Sequence, residues 1–505
     1  MKGIMIQGTS SDVGKSLITT ALCRLFANEG VKVTPFKSQN MSNNSYVTID
    51  GKEIGRAQGI QAEAAKTEAV VWMSPILLKP QSNMQSEVVL LGKKVETLSG
   101  KAYRDTFYEK GLEVIESSMA YLKERFDMVV IEGAGSPAEI NLKDRELVNM
   151  KVAEIADVPV ILVADIDRGG VFATIIGTLQ LLTPQERNRV QGLMINKFRG
   201  DRTLIEDGVR WLEEKTGIPV LGVIPFIEDH RIDGEDSLQV KSHTMPSGKA
   251  IIDIAVIHHP FIANYNDVEP FYDEADVQVR LVQEPSQFGR PDAVIIPSTT
   301  SILDALHRLQ ASQLADRIIE FVKNGGFLVG IAGGFQMMGT EIVAGLHTGS
   351  SEISVKGLSI ISAKTVCYED RETTRVKGHF HPNTQLTYDW PMEGFQIDAG
   401  ETEIFEKGSF FLELENGKHE GYYSPNGKVI GTYIHHLFHH AEWRNVWLNQ
   451  IRKQKQLPIK EVANLADDKY DQLAVHMKKH LDWTKIKEIV RTWHRGDRDV
   501  QRVMD

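Results

Sequence analysis

Short apolar runs recur through the first half of the chain, at residues 3–6, 31–36, 127–132, 158–164, 192–195 and 219–225. Each is too short and too continuously apolar for an amphipathic helix, and each reads as a strand buried on both faces. Between them apolar residues fall at helical spacing, as in Leu17, Ile18, Ala21, Leu22 and Leu25. Strands alternating with helices predict an open, doubly wound parallel sheet with helices on both faces. The polar stretch 236–250, with Ser242, Pro246, Ser247 and Gly248, reads as a linker. Beyond it the alternation resumes at 251–257, 292–297 and 326–331. After Leu358 it gives way to shorter strands and turns, ending on a last apolar run at 429–434. The expected organisation is therefore an α/β domain over 1–235, a linker over 236–250 and a second α/β domain over 251–505. The tail of that second part is helical from Glu461, with Leu481, Ile486, Ile489, Val490 and Trp493 forming one packing face.

The first strand runs directly into Gly8-Thr9-Ser10-Ser11-Asp12-Val13-Gly14-Lys15-Ser16, and a helix follows. Strand, glycine loop, lysine, hydroxyl and helix in this order describe a phosphate cradle, or P-loop. Glycines let backbone N–H groups approach phosphates, and the helix N-terminus adds its positive end. Gly8, Thr9, Asp12 and Gly14 would shape the cradle, Lys15 would reach the terminal phosphates of ATP, and Ser16 would hold Mg2+. The loop has five residues between its glycines where four are usual. Glu132, which ends the apolar run 127–132, lies at the sheet edge facing this loop and is a second Mg2+ ligand candidate. A carboxylate that merely caps the next turn is the alternative.

Composition narrows the setting. A 42% hydrophobic content with 25% charged residues is that of a soluble globular protein, and no apolar run approaches membrane-spanning length. The N-terminus enters a strand at once, so no leader segment is expected. Two cysteines, Cys23 and Cys367, cannot build a disulfide framework, which fits a cytoplasmic protein. A net charge of −11 argues against nucleic acid as a partner.

The five-residue loop spacing resembles that of dethiobiotin synthetase, which phosphorylates a carboxylate. Three further segments extend the likeness. They are the polar run Lys37-Ser38-Gln39-Asn40-Met41-Ser42-Asn43-Asn44-Ser45-Tyr46, the helix start Glu53-Ile54-Gly55-Arg56-Ala57-Gln58, and Leu77-Leu78-Lys79-Pro80-Gln81. By composition alone the first of these is a solvated loop. Together they resemble the N-terminal part of the cobyric acid synthase family, and the likeness extends over nearly the full length. The resemblance implies ATP-dependent amidation of side-chain carboxylates of adenosylcobyrinic acid a,c-diamide, a corrinoid of the cobalamin pathway. It also implies substrate contacts from Lys37, Gln39, Asn40 and Arg56. The resemblance also implies a position near the reacting phosphate for Asp144, and Asn196 and Lys197 resemble the element that reads the adenine base.

The second domain resembles class I glutamine amidotransferases, whose fold is flavodoxin-like. Ile331-Ala332-Gly333-Gly334-Phe335-Gln336-Met337-Met338-Gly339 has the form of a nucleophile elbow, a strand turning sharply into a helix. The resemblance puts a cysteine at the corner, where this chain has Ala332, and assigns His435 as the catalytic base. Two other segments depart from the family pattern. Ser298-Thr299-Thr300-Ser301 stands where a glycine would shape the oxyanion hole, and Gly394-Phe395-Gln396-Ile397-Asp398 stands for Gly-Tyr-Glu-Ile-His. An engineered alanine would leave the rest of the glutaminase intact, so these departures favour natural decay. Ammonia, free or delivered by a separate glutaminase, is then the expected nitrogen source in place of glutamine.

Other functions fit parts of the same pattern. A non-catalytic ATP-binding or regulatory paralogue would keep the first domain without the chemistry. A membrane-associated positioning ATPase would carry an extra lysine where Ser10 and Ser11 stand, and dethiobiotin synthetase itself lacks the second domain. His435 with His439, and His436 with His440, have a spacing that metal ligands use, yet no acid or cysteine completes such a site.

Overall fold

The computed structural model describes residues 1–80, 85–227, 251–259, 261–344, 353–384, 386, 388, 390–406, 410–461 and 469–493. The expected linker at 236–250 lies outside the described residues. The main sheet of the first domain is built from β1 (Lys2–Gly8), β2 (Val33–Phe36), β3 (Met128–Glu132), β4 (Val160–Asp165), β5 (Val190–Phe198) and β6 (Val220–Pro225). They form one sheet in the order β6-β5-β4-β1-β3-β2, every pairing parallel. Continuous burial explains their unbroken apolar character: Ile4, Met5, Ile6, Val130, Ile131, Ile161 and Leu162 are all inaccessible to solvent. Pro35 is tolerated because β2 is an edge strand with a partner on one side only. Two helices matter for the site, α1 (Lys15–Asn28) directly after β1 and α2 (Arg56–Ala64).

Residues 37–55 are not a solvated loop. Gln39–Met41 pairs with Ile76–Pro80 at the start of a small four-stranded sheet, and Ser45–Val47 pairs with Glu53–Gly55 as a hairpin. Lys37, Ser38, Asn40, Ser42 and Ser45 are buried. Composition misleads here because these polar groups find tertiary partners. Glu53 meets Lys79 and accepts from Ser45 Oγ at 2.8 Å, while Ser38 Oγ donates to the Leu147 carbonyl at 2.6 Å. The hairpin also sits on α2: a side chain at Gly59 would run into the Tyr46 ring 2.1 Å away, so the close approach needs a glycine.

The second domain is built on β7 (Ile252–Ile257), β8 (Val277–Val282), β9 (Ala293–Ile296), β10 (Phe327–Ile331), β11 (Tyr422–Tyr423) and β12 (Val429–Thr432). The order β8-β7-β9-β10-β12-β11 is parallel except for the last pair, and the parallel part has flavodoxin-like connectivity. A short helix, α3 (Gly333–Met338), follows β10 through the elbow. A second, largely antiparallel sheet packs beside it, with its longest strand at Ala363–Phe380.

The helical tail, which chain order places with the second domain, packs on the first. Two helices, α4 (Lys469–Lys478) and α5 (Trp483–Thr492), and the turn between them put Leu473, Met477, Leu481, Ile486 and Val490 into the apolar layer formed by α1 and one face of the first sheet. Arg24 grips Asp471 with two bonds of 2.7 and 3.0 Å, and Trp483 Nε1 donates to Glu29 Oε1 at 2.6 Å. The sequence shows the apolar face but not its destination. Ile486→Ala, at a fully buried position, is expected to cost about 2–5 kcal/mol in urea unfolding of the full chain. A loss below about 0.5 kcal/mol, the level of a surface change, would show the tail is not part of that core.

Candidate functional site

The site forms where β1 and β3 end side by side, a pairing in which Ile6 lies opposite Glu132. Gly14 has φ 99°, and the Asn196 side-chain nitrogen lies 2.1 Å from where a β-carbon would stand. Only glycine satisfies both constraints. Lys15 is buried, its Nζ donating to the carbonyls of Ser10 (3.0 Å) and Gly135 (3.2 Å). The first turn of α1 has no side-chain cap and no acidic residue. Its N–H groups and dipole therefore favour an external anion, and the loop fits the phosphates of a nucleotide. Asn196 and Lys197 brace the same loop, donating to the carbonyls of Val13 (2.7 Å) and Asp12 (2.6 Å). The Thr9 N–H is bonded to the Val163 carbonyl at 2.9 Å, so Thr9 supports the strand end.

Glu132 is the centre of this cluster and is only 1% exposed. Ser16 Oγ donates to its Oε1 at 2.8 Å, Lys37 Nζ lies 3.1 Å from the same oxygen, and Gln61 Nε2 on α2 donates to Oε2 at 2.6 Å. Burial alone would raise its carboxyl pKa. The Lys37 charge, the bonds from Gln61 and Ser16, and the Lys15 charge outweigh burial and hold it below the ordinary range. An ionised carboxylate beside a hydroxyl at a phosphate loop is an oxygen donor pair suited to Mg2+. Among the described residues no three His, Cys, Asp or Glu side chains cluster as a metal cage.

The other predicted residues fall in different places. Gln39 lines a cavity of about 740 Å³ beside the loop, with Met41, Gly135, Ser136, Leu142 and Lys143, and its amide accepts from Tyr103 at 2.6 Å. Asn40 is buried behind it. Lys37 and Arg56 are committed to carboxylates of the protein, Arg56 to Glu269 of the second domain at 2.5 Å. Asp144 is exposed on a 3-10 turn and pairs with Arg104.

In the second domain Ala332 has φ 46° and ψ −111°, so the elbow keeps its strained corner around a methyl group that cannot act as a nucleophile. His435, fully buried, meets Asp267 Oδ2 at 2.7 Å through Nδ1 and the Asn264 side-chain nitrogen at 3.3 Å through Nε2. Asp267 and Asn264 belong to no motif that the sequence shows. The signal was a polar run, Asn264-Tyr265-Asn266-Asp267, just beyond the carboxyl end of β7, where α/β sheets place functional side chains. His436, His439 and His440 bond Asn266, the Asn266 carbonyl and the Glu393 carbonyl, so their spacing serves hydrogen bonds. Burial, then the neighbouring His439, Arg56, His435 and Arg375, drive His436 well below the ordinary histidine value. Cys367 is raised to about 11 by burial and stays a thiol.

Residues 4–239 match the CobQ/CobB/MinD/ParA nucleotide binding domain family, and residues 253–443 match the CobB/CobQ-like glutamine amidotransferase domain family. A cobyric acid synthase of Geobacillus sp. (strain WCH70) is 45% identical over 502 residues, covering 98% of this chain and 99% of that one. The chain belongs to the cobyric acid synthase family. The family's cobyric acid synthase from Geobacillus kaustophilus is 44% identical, with 98% of each chain covered. The one from Synechocystis sp. is 43% identical, covering 90% of this chain and 91% of its own. This agrees with a nucleotide-binding domain joined to an amidotransferase-type domain. No helix among the described residues is long and apolar enough to cross a membrane.

The domain interface next to the site gives a pH prediction. Burial alone would raise the Glu53 carboxyl, but the Lys79 charge and hydrogen bond, with bonds from Thr373 and Ser45, lower it from 4.5 to about 2. Its ionised form therefore stabilises the fold fully above pH 4.5, and the contribution is lost as pH falls toward 2. Glu53→Gln is expected to lower Tm at neutral pH and to flatten the fall of Tm across that acid window. An unchanged slope would contradict the assignment.

Proposed function

We propose that this chain is a ligase that amidates side-chain carboxylates of adenosylcobyrinic acid a,c-diamide in cobalamin biosynthesis, using ATP and ammonia. The observation that carries the reading is the Ser16–Glu132–Lys37 cluster set against Lys15 at the start of α1. A carboxylate resists ammonia because its leaving group would be oxide. Its oxygen can instead attack the terminal phosphorus of ATP, releasing ADP and giving an acyl phosphate. Ammonia then adds to the carbonyl carbon, phosphate leaves with the former carboxylate oxygen, and the nitrogen loses a proton. Lys15 places positive charge where the transferred group gains negative charge. Ser16 and Glu132 would hold Mg2+, which when bound neutralises phosphate charge. Lys37 and Gln61 keep Glu132 ionised and turned toward Ser16. The cavity beside Gln39 and Gly135 is the proposed seat of the corrinoid, with Met41 and Leu142 offering apolar contact to a large macrocycle.

Ammonia rather than glutamine is proposed on chemical grounds. Ala332 offers no nucleophile, and the Nε2 lone pair that a thiol would need at His435 faces an amide donor. The domain that hydrolyses glutamine elsewhere would here be inactive.

Lys15→Ala is expected to abolish ATP-dependent amidation while the Tm stays close to wild type, because the lysine tip meets the Ser10 and Gly135 carbonyls and not apolar packing, and is the group proposed to reach phosphate. Amidation near the wild-type rate would remove the proposal. The purified chain is also expected to use ammonium salts and not glutamine, with a rate rising with pH as free ammonia increases. In Ala332→Cys, glutamine-driven amidation is expected to stay at least roughly 100-fold below the ammonium rate, the scale of a missing oxyanion donor. Equal rates would show a working glutaminase around a single altered residue.

A further inference from the structure

Buried polar groups are costly unless each is satisfied, and a base without a nucleophile has no chemistry to justify that cost. Yet Asp267, His435 and Asn264 are each 0–1% exposed and form a continuous hydrogen-bonded chain. The end of that chain lies in the other domain. Asn264 Oδ1 accepts from the Ser45 N–H at 3.3 Å, which turns its Nδ2 toward His435. That donor needs the lone pair at Nε2, so the imidazole proton sits on Nδ1 and is donated to Asp267. Two neighbouring bonds reinforce the junction, Tyr265 N–H to Asn44 Oδ1 at 3.1 Å and Asn264 N–H to the Asn43 carbonyl at 3.5 Å. Asn264 itself is left-handed, with φ 50°, which lets one residue present backbone and side chain to the same loop.

The anchored loop leads straight to the cavity. Three consecutive residues, Asn43 to Ser45, are tied to the second domain, and the strand just before them, Gln39–Met41, carries Gln39 and Met41 on the cavity wall. Its far side is held by Tyr103, which donates to Gln39 at 2.6 Å. We propose that His435, through Asn264, is a positioning residue for the first domain's substrate, fixing the 39–45 segment against the cavity that takes the polycarboxylate macrocycle. The retained histidine then acts on carboxylate binding, not on glutamine. This inference rests on the amidation reading given above.

The test uses the full chain with ammonium as nitrogen source, comparing wild type, His435→Ala, His435→Gln and Asn264→Gly. Glycine keeps the left-handed backbone while deleting the side chain. His435→Gln keeps an acceptor for Asn264 and a donor for Asp267. His435→Ala and Asn264→Gly are expected to raise the corrinoid KM about three- to tenfold, the effect of losing one net hydrogen bond. The KM for ATP should stay within about twofold, and His435→Gln should recover most of the loss. Hydrogen exchange of the 39–47 peptide should quicken in the same two variants. A purely structural role predicts lower Tm and lower active fraction with corrinoid KM and 39–47 exchange unchanged, and that result overturns the proposal. If His435→Ala does not fold, Asn264→Gly decides by the same readouts. If wild type does not amidate the corrinoid at all, the functional reading fails instead, and exchange of 39–47 still decides whether His435 positions the segment.

Discussion

The first domain turns on one buried charge. Glu132 can be ionised at 1% exposure only because Ser16, Lys37 and Gln61 all reach it. Removing one partner of such a buried pair typically costs about 3–5 kcal/mol, so the three donors must arrive together. Each comes from a different element: Ser16 from α1, Lys37 from the end of β2 and Gln61 from α2. The strand order, the P-loop and the helix that carries Gln61 are thus all constrained by one carboxylate. That same carboxylate faces the position where a nucleotide's phosphates and a divalent cation are proposed to sit.

The second domain enters this constraint through α2. The first residue of that helix, Arg56, pairs with Glu269, and the hairpin just before it is held by Thr373 donating to Glu53 at 2.7 Å and Arg375 donating to the Val47 carbonyl at 2.7 Å. Five residues on from Arg56 along the same helix, Gln61 meets Glu132. A domain of amidotransferase type therefore packs against elements that build the nucleotide site, whether or not it handles glutamine. The tail also packs on these elements, covering α1 with α4 and α5.

The P-loop and the carboxylate beside it were legible because their signals are local. Glycine, lysine and serine follow a strand within a few residues, and Glu132 ends an apolar run. The parallel strands were legible because burial on both faces leaves them continuously apolar. What was hidden depends on distant partners. The polar run 37–46 looked solvated because Lys37, Ser38 and Ser45 are satisfied by Glu132, Leu147 and Glu53, none of them adjacent in sequence. Asp267 and His435 are 168 residues apart, and neither segment carries a pattern that names the other. The tail's apolar face was visible at Ile486 and Val490, but periodicity says nothing about which sheet it covers.

The central claim is that the first domain amidates by first phosphorylating a carboxylate. The most direct measurement follows oxygen. The corrinoid substrate, labelled with 18O in its reactive carboxylates, is turned over by the full chain with ATP, Mg2+ and ammonium alone, and the inorganic phosphate is analysed by mass. The account predicts one 18O atom in phosphate for each amide formed. Amide formation with unlabelled phosphate would contradict it.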